Sequence, residues 1–273
     1  MRYTFVYTLI KGEGMSNKTK IYTLYISKGG AIKTTTVMAM AYGINIVKPE
    51  AKILIVDCDF QKNTTSTILG NIQDDLRSTY GVISNKIDIN EAIYKTSINN
   101  IDILAGSVML ANVDIELQNK LGKEYRLKEA FKNLEVDYDY IIIDTSVLMS
   151  TMVVNALTAS TDLIIPARPD QFTLDGLQLL ASSITDIRSY TNPDLNIAGI
   201  LIGYMNDTVL AKDMVKRFET EAEKLGTKVF TSKVRTNVAI PEAQAMHKSL
   251  FEYDSKSKAA QGYLEFVKEL LGE

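Results

Sequence analysis

The chain of 273 residues contains one cysteine, one histidine, five prolines and no tryptophan. Cys58 alone cannot close an internal disulfide, and with His247 as its only companion it cannot build a Cys/His zinc site. A disulfide-stapled scaffold is excluded, and a reducing cytoplasm is the expected compartment. Long hydrophobic runs are also missing. Stretches such as 141–143 and 163–165 meet aspartate or proline long before the roughly eighteen apolar residues that a membrane span needs. The opening MRYTFVYTLIKGEG lacks a small-residue cleavage site, so no signal peptide is expected. Nor does one sign of charge dominate: 30 basic against 33 acidic residues leave a net charge of −3, which excludes a uniformly basic nucleic-acid binder while leaving room for a local patch.

What remains is ordinary globular composition, 46% hydrophobic and 23% charged, with no Pro/Gly/Ser linker. A single domain is expected over 15–273, preceded by an extension at 1–14 that need not be native, because Met15 opens the segment leading into the first clear strand. Apolar β-type runs occur at 20–26, 52–57, 140–144, 162–167, 197–204 and 228–234. Helical periodicity lies between them at 34–47, 123–134, 151–159, 174–190, 209–225 and 256–271. Such alternation predicts an α/β fold, a doubly wound and mostly parallel sheet, with several strands apolar enough to be buried on both faces. The stretch 70–121 reads as short helical pieces and Asn-rich turns decorating the sheet edge.

The most informative segment runs strand, turn, helix: KIYTLYI, then Ser27-Lys28-Gly29-Gly30-Ala31-Ile32-Lys33-Thr34-Thr35, then an apolar helix. Backbone N–H groups at a helix N-terminus attract phosphate, a lysine adds a mobile cation and the next hydroxyl can ligate magnesium. Lys33 and Thr34 suit the last two roles; the alternative is a glycine turn with a solvent-facing lysine. Two further runs deliver Asp57, Asp59 and Asp144 to strand C-terminal ends, where open α/β sheets bind ligands. Three carboxylates beside a Lys-Thr loop match the oxygen ligands of magnesium and the needs of an attacking water. A dinucleotide dehydrogenase fits less well, since GGAIKT lacks the GxGxxG spacing.

These segments resemble the ParA-type partition ATPases, the deviant Walker A group that also holds MinD and the nitrogenase iron protein. The resemblance runs from about Met15 to the C-terminus through KGG..KTTT, VDCDFQKNTT, YDYIIIDTS, NALTASTDLIIPARPDQFTLDGLQLL, GILIGYMND, NVAIPEA and LFEYDSKSKAAQGYLEF. It implies a P-loop NTPase-like fold, ATP and Mg2+ as cofactors, and an ATP-dependent homodimer that binds DNA non-specifically. It also implies a ParB-like centromere-binding partner that stimulates hydrolysis. By the same resemblance Lys28 reaches the phosphates of the dimer partner, and Gly29 to Thr35 form the loop. Lys33 is the Walker lysine, and Thr34, Asp57 and Asp144 surround the metal. Asp59 orients the attacking water, and Asn206 contacts adenine or is simply a turn residue. A single cysteine excludes the iron–sulfur branch, and an acidic final helix argues against membrane cycling.

The chain departs from the family pattern where Ile32 replaces the glycine before the Walker lysine, Phe60 and Lys62 replace proline and glycine, and Ser146-Val147 follow the Walker B threonine. A β-branched residue is poorly suited to the positive φ expected there. Two functions therefore stand: a partition switch with weak ATPase activity, and a non-hydrolysing binding or regulatory module on the same fold. For DNA, Lys233, Arg235, Lys248, Lys256 and Lys258 form the candidate patch, which would make the protein nucleoid-associated. The segment 207–273 nevertheless carries eleven basic and eleven acidic residues, as a plain solvated face would.

Overall fold

The computed structural model describes residues 19–30, 32–73 and 75–273; the extension expected at 1–14 and Ala31 lie outside the described residues. The first half contains β1 (Lys20–Leu24), α1 (Lys33–Val47), β2 (Ile53–Cys58), α2 (Asn63–Leu69), α3 (Thr79–Ile83), α4 (Ile89–Ala92), β3 (Ile93–Lys95), β4 (Ile101–Leu104), α5 (Val113–Glu116) and α6 (Arg126–Lys132). The second contains β5 (Tyr140–Thr145), α7 (Thr151–Ala159), β6 (Asp162–Ala167), α8 (Gln171–Tyr190), β7 (Asn196–Ile202), α9 (Val209–Lys224), α10 (Ala239–Ala245), α11 (Leu250–Asp254) and α12 (Lys258–Leu271). Among these residues the strands form one sheet in the order β3-β4-β2-β5-β1-β6-β7, parallel except for β3.

Every residue of β2 and β6 is buried, as a parallel strand covered on both faces requires. Alternation sorts the side chains: Ile53 and Ile55 enter the core with α1 and α12, whereas Leu54 and Val56 enter the core with α3 and α6. A third core packs α7, α8 and α9 on the β6–β7 half. Helix α1 is apolar nearly all round because it lies between the sheet and α12, where Gly43 faces Val267. Except for α10, the helices from α7 onward start on side-chain caps worth about 1 kcal/mol each. Asp170 accepts from Thr173 N, Thr208 from Ala211 N and Ser257 from Ala260 N.

Two expectations are corrected. The run 228–234 is not a strand. It follows β7, with Phe230 N donating to Ile200 O and Val234 N to Ile202 O, but Thr231 N and Ser232 N turn to the Glu269 carboxylate at 2.9 and 2.8 Å. Those two donors leave the ladder, and isolated bridges remain. The stretch 70–121, read as edge decoration, supplies β4 inside the sheet against β2, and the short edge strand β3. IDIL, at four buried residues, is too short to display a period.

Candidate functional site

The chain leaves β1 to one side, builds β2 and β4, returns through β5 and crosses β1 to reach β6 and β7. The direction of winding thus reverses at β1 and β5, and a crevice opens beyond their C-terminal ends. There lies a cleft of about 630 Å³. Its lining includes Gly29, Gly30, Ile32, Lys33, Thr34 and Thr35 of the loop, Asp59 to Gln61 after β2, Ser146 to Leu148 after β5, and Tyr204, Gln244 and His247 from the C-terminal third.

The carboxylates fall into two kinds. Asp57 and Asp144 are register partners on β2 and β5, and both are fully buried. Asp57 Oδ2 accepts from Thr65 N (2.9 Å) and Thr65 Oγ1 (2.7 Å), while its Oδ1 accepts from Asp59 N (3.1 Å). Burial, and then the charge of Asp144, lifts the Asp57 carboxyl to about 7. Asp144 Oδ2 accepts from Thr34 Oγ1 and Thr64 Oγ1, each at 2.7 Å; burial raises its pKa, against the pull of those hydroxyls and of Lys33. Asp59, two residues beyond Asp57, is half-exposed in the cleft and accepts from Gln61 N.

Lys33 is buried, its ammonium donating to Lys28 O at 3.4 Å; desolvation lowers its pKa while Asp144 and Asp59 oppose the shift. Ile32 is the N-cap of α1 in a left-handed conformation, φ 55° and ψ 18°. The positive φ expected at this position is present. The side chain, however, is only 6% exposed and sinks into the α1 core, over Gly203 just past β7, where an added Cβ would collide with Ile32 Cδ1. Space given up at Gly203 accommodates the branch at Ile32.

Thr34 Oγ1 beside Asp144 offers hard oxygen donors of the kind magnesium takes, with coordination left for water and phosphate. The residues therefore fit that ion. Asp57 has its oxygens engaged by protein donors and sits behind this pair. Among the described residues no group of three His, Cys, Asp or Glu is arranged as a metal cage.

Other candidates lie apart. Lys28 is folded over the Phe172 ring, 5.0 Å from its centroid, and is not among the residues lining the cleft. Asn206 accepts from Thr208 N and Thr208 Oγ1, an Asx turn leading into α9, and does not line the cleft either. In the basic set, Arg235 is held by Asp207 through bonds of 2.7 and 3.2 Å. Lys248, Lys256 and Lys258 are exposed, whereas Lys233 is half-buried and donates to Thr231 O. Cys58 is a buried thiol whose pKa burial raises well above its ordinary value.

Sequence reasoning gave no role to Thr64 and Thr65, which fasten the two buried carboxylates, although the VDCDFQKNTT segment contains both. It also missed Gly106, whose N–H donates to Thr65 Oγ1 and whose missing Cβ would stand 2.8 Å from Asp57 Cγ. Gln244 Nε2 donates to Thr35 Oγ1, and His247, two residues past α10, donates from Nδ1 to Ser66 O across the cleft rim.

Residues 19–197 match the AAA domain family. Sporulation initiation inhibitor protein Soj of Bacillus subtilis is 31% identical over 92% of this chain and 98% of its own length. Chromosome partitioning protein ParA of Myxococcus xanthus is also 31% identical, over 96% of this chain and 91% of its own. The crystal structure of cobyrinic acid a,c-diamide synthase from Mycobacterium smegmatis, with bound ADP and magnesium, superposes with a TM-score of 0.78 at 27% identity, covering 93% of this chain and 94% of that one.

Proposed function

The chain belongs to the Soj/ParA family of partition ATPases, and on that footing we propose that it is an ATP-switched partitioning protein. In this reading Mg·ATP fills the cleft, the loaded chain pairs with a second copy, and the pair holds DNA non-specifically until a ParB-like centromere-binding partner stimulates hydrolysis. The observation that supports it best is the 2.7 Å bond from Thr34 Oγ1 to Asp144, next to Lys33 in the loop and opening on the same cleft as Asp59. Magnesium, when bound, neutralises phosphate charge. Lys33 holds the phosphates, Thr34 presents its hydroxyl, Asp144 keeps that hydroxyl oriented, and Asp59 accepts a hydrogen from the attacking water. Lys28 must leave the Phe172 ring to serve a partner's nucleotide.

Ile32 sustains the second reading, a non-hydrolysing module, because a β-branched residue at φ 55° carries strain of about 1–3 kcal/mol. Its side chain is nevertheless sunk into the core, which supports retained binding. Calorimetric titration with Mg·ATP separates the two. Binding by the wild type, weakened at least tenfold in Lys33→Ala, is the expected result. Failure of the wild type together with recovery in Ile32→Gly would establish the second reading instead.

A further inference from the structure

We propose that Arg168, the residue after β6, is a nucleotide-contacting residue: its guanidinium supplies an additional cation to the polyphosphate of a nucleoside di- or triphosphate held by the loop, and the Tyr204 ring holds it in place. The proposal rests on the nucleotide reading of the cleft.

Placement carries it. Gly203 N donates to Ala167 O at 2.8 Å, so the ends of β6 and β7 are tied together and Arg168 leaves the sheet at the edge that carries the loop. The guanidinium lies over the Tyr204 ring, 4.7 Å from its centroid, and Tyr204 lines the cleft. On its other side the guanidinium adjoins the loop: a side-chain carbon added at Gly30, also in the cleft wall, would be 3.9 Å from Arg168 Nη1.

The bonding capacity of this arginine is largely unspent. Asp170 approaches Nε at 3.6 Å, and the Oδ1 of that carboxylate is occupied as the cap of α8, accepting from Thr173 N and Thr173 Oγ1 at 2.8 and 2.9 Å. Neither Nη1 nor Nη2 donates to a protein acceptor among the described residues. A planar fork of donors that stays charged suits phosphate oxygens better than a point charge does. Tyr204 is itself held at φ 52°, with Met205 bridged to Arg235, so the platform is set before any ligand arrives.

The test is titration of the full chain with Mg·ATP at low and moderate salt, alongside Arg168→Ala and Arg168→Lys, with ligand-free melting curves for each. Arg168→Ala is expected to weaken binding roughly tenfold or more and to flatten its salt dependence while leaving the ligand-free melting temperature in place. Arg168→Lys should recover part of the affinity. Wild-type affinity and salt dependence in Arg168→Ala would overturn the proposal. So would an affinity loss matched by a lower ligand-free melting temperature and not recovered by lysine, the mark of a structural brace. A wild type that binds no Mg·ATP overturns the nucleotide reading itself, and this inference with it.

Discussion

The two ends of one sheet edge treat charge in opposite ways. At β2 and β5, Asp57 and Asp144 are buried side by side and satisfied by Thr34, Thr64, Thr65 and backbone amides. Beyond β7, most of the ionic groups lie in solvent, and Arg235 is answered by Asp207 on the surface. A buried carboxylate is expensive unless every oxygen has a donor, so the first region tolerates few residue types at each position. Exposed charges cost little to rearrange, so the second region accepts many. The contrast teaches that chemical constraint, more than hydrophobic pattern, makes a site recognisable.

The comparison breaks most sharply at Gly106. In Gly106→Ala the new carbon meets Asp57 2.8 Å from Cγ, and a fully bonded carboxylate has nowhere to go. A loss of about 3 kcal/mol is expected by chemical denaturation; a loss below about 1 kcal/mol would mean that the buried cluster yields easily.

Titration sharpens it next. The folded chain holds a proton on Asp57 up to about pH 7, whereas an unfolded aspartate releases its proton near pH 4. The stability this proton confers is whole below about pH 4 and is lost as the pH rises towards about 7. The denaturation midpoint of the ligand-free protein should therefore fall from about pH 5 to about pH 8, and Asp57→Asn should flatten that fall. An equal slope in the variant would refute the assignment to Asp57.

The smallest effect belongs to the exposed end. Asp207→Asn frees Arg235, and stability should stay unchanged while non-specific DNA binding tightens and becomes steeper in salt. Unchanged DNA binding in that variant would remove Arg235 from the candidate patch.

Legibility followed the same division. The strands of the central sheet could be read because Ile, Leu and Val run unbroken where both faces are covered, and 162–167 matches β6 at both ends. The stretch 228–234 has apolar residues only at Val229, Phe230 and Val234, and Glu269, more than thirty residues away, takes the amide hydrogens of Thr231 and Ser232 between them and interrupts the ladder. Strands β3 and β4 escaped for want of length. In the site, Lys33, Thr34, Asp59 and Asp144 were legible from their spacing after strands. Thr64, Thr65, Gly106 and Gly203 were not, because their roles exist only once distant strand ends are brought together.

By itself, the sequence determined the fold class, the glycine–lysine–threonine turn after the first strand and the acids at strand ends, since periodicity and the placement of chemistry-bearing residues are properties of the chain. Only the tertiary structure decided that the Ile32 side chain turns into the core over Gly203, that Lys28 rests on Phe172, and that the guanidinium of Arg168 stands between Tyr204 and the loop. Each of these is a contact between segments remote in sequence, and a contact of that kind is settled by which surfaces the folded sheet brings within van der Waals reach.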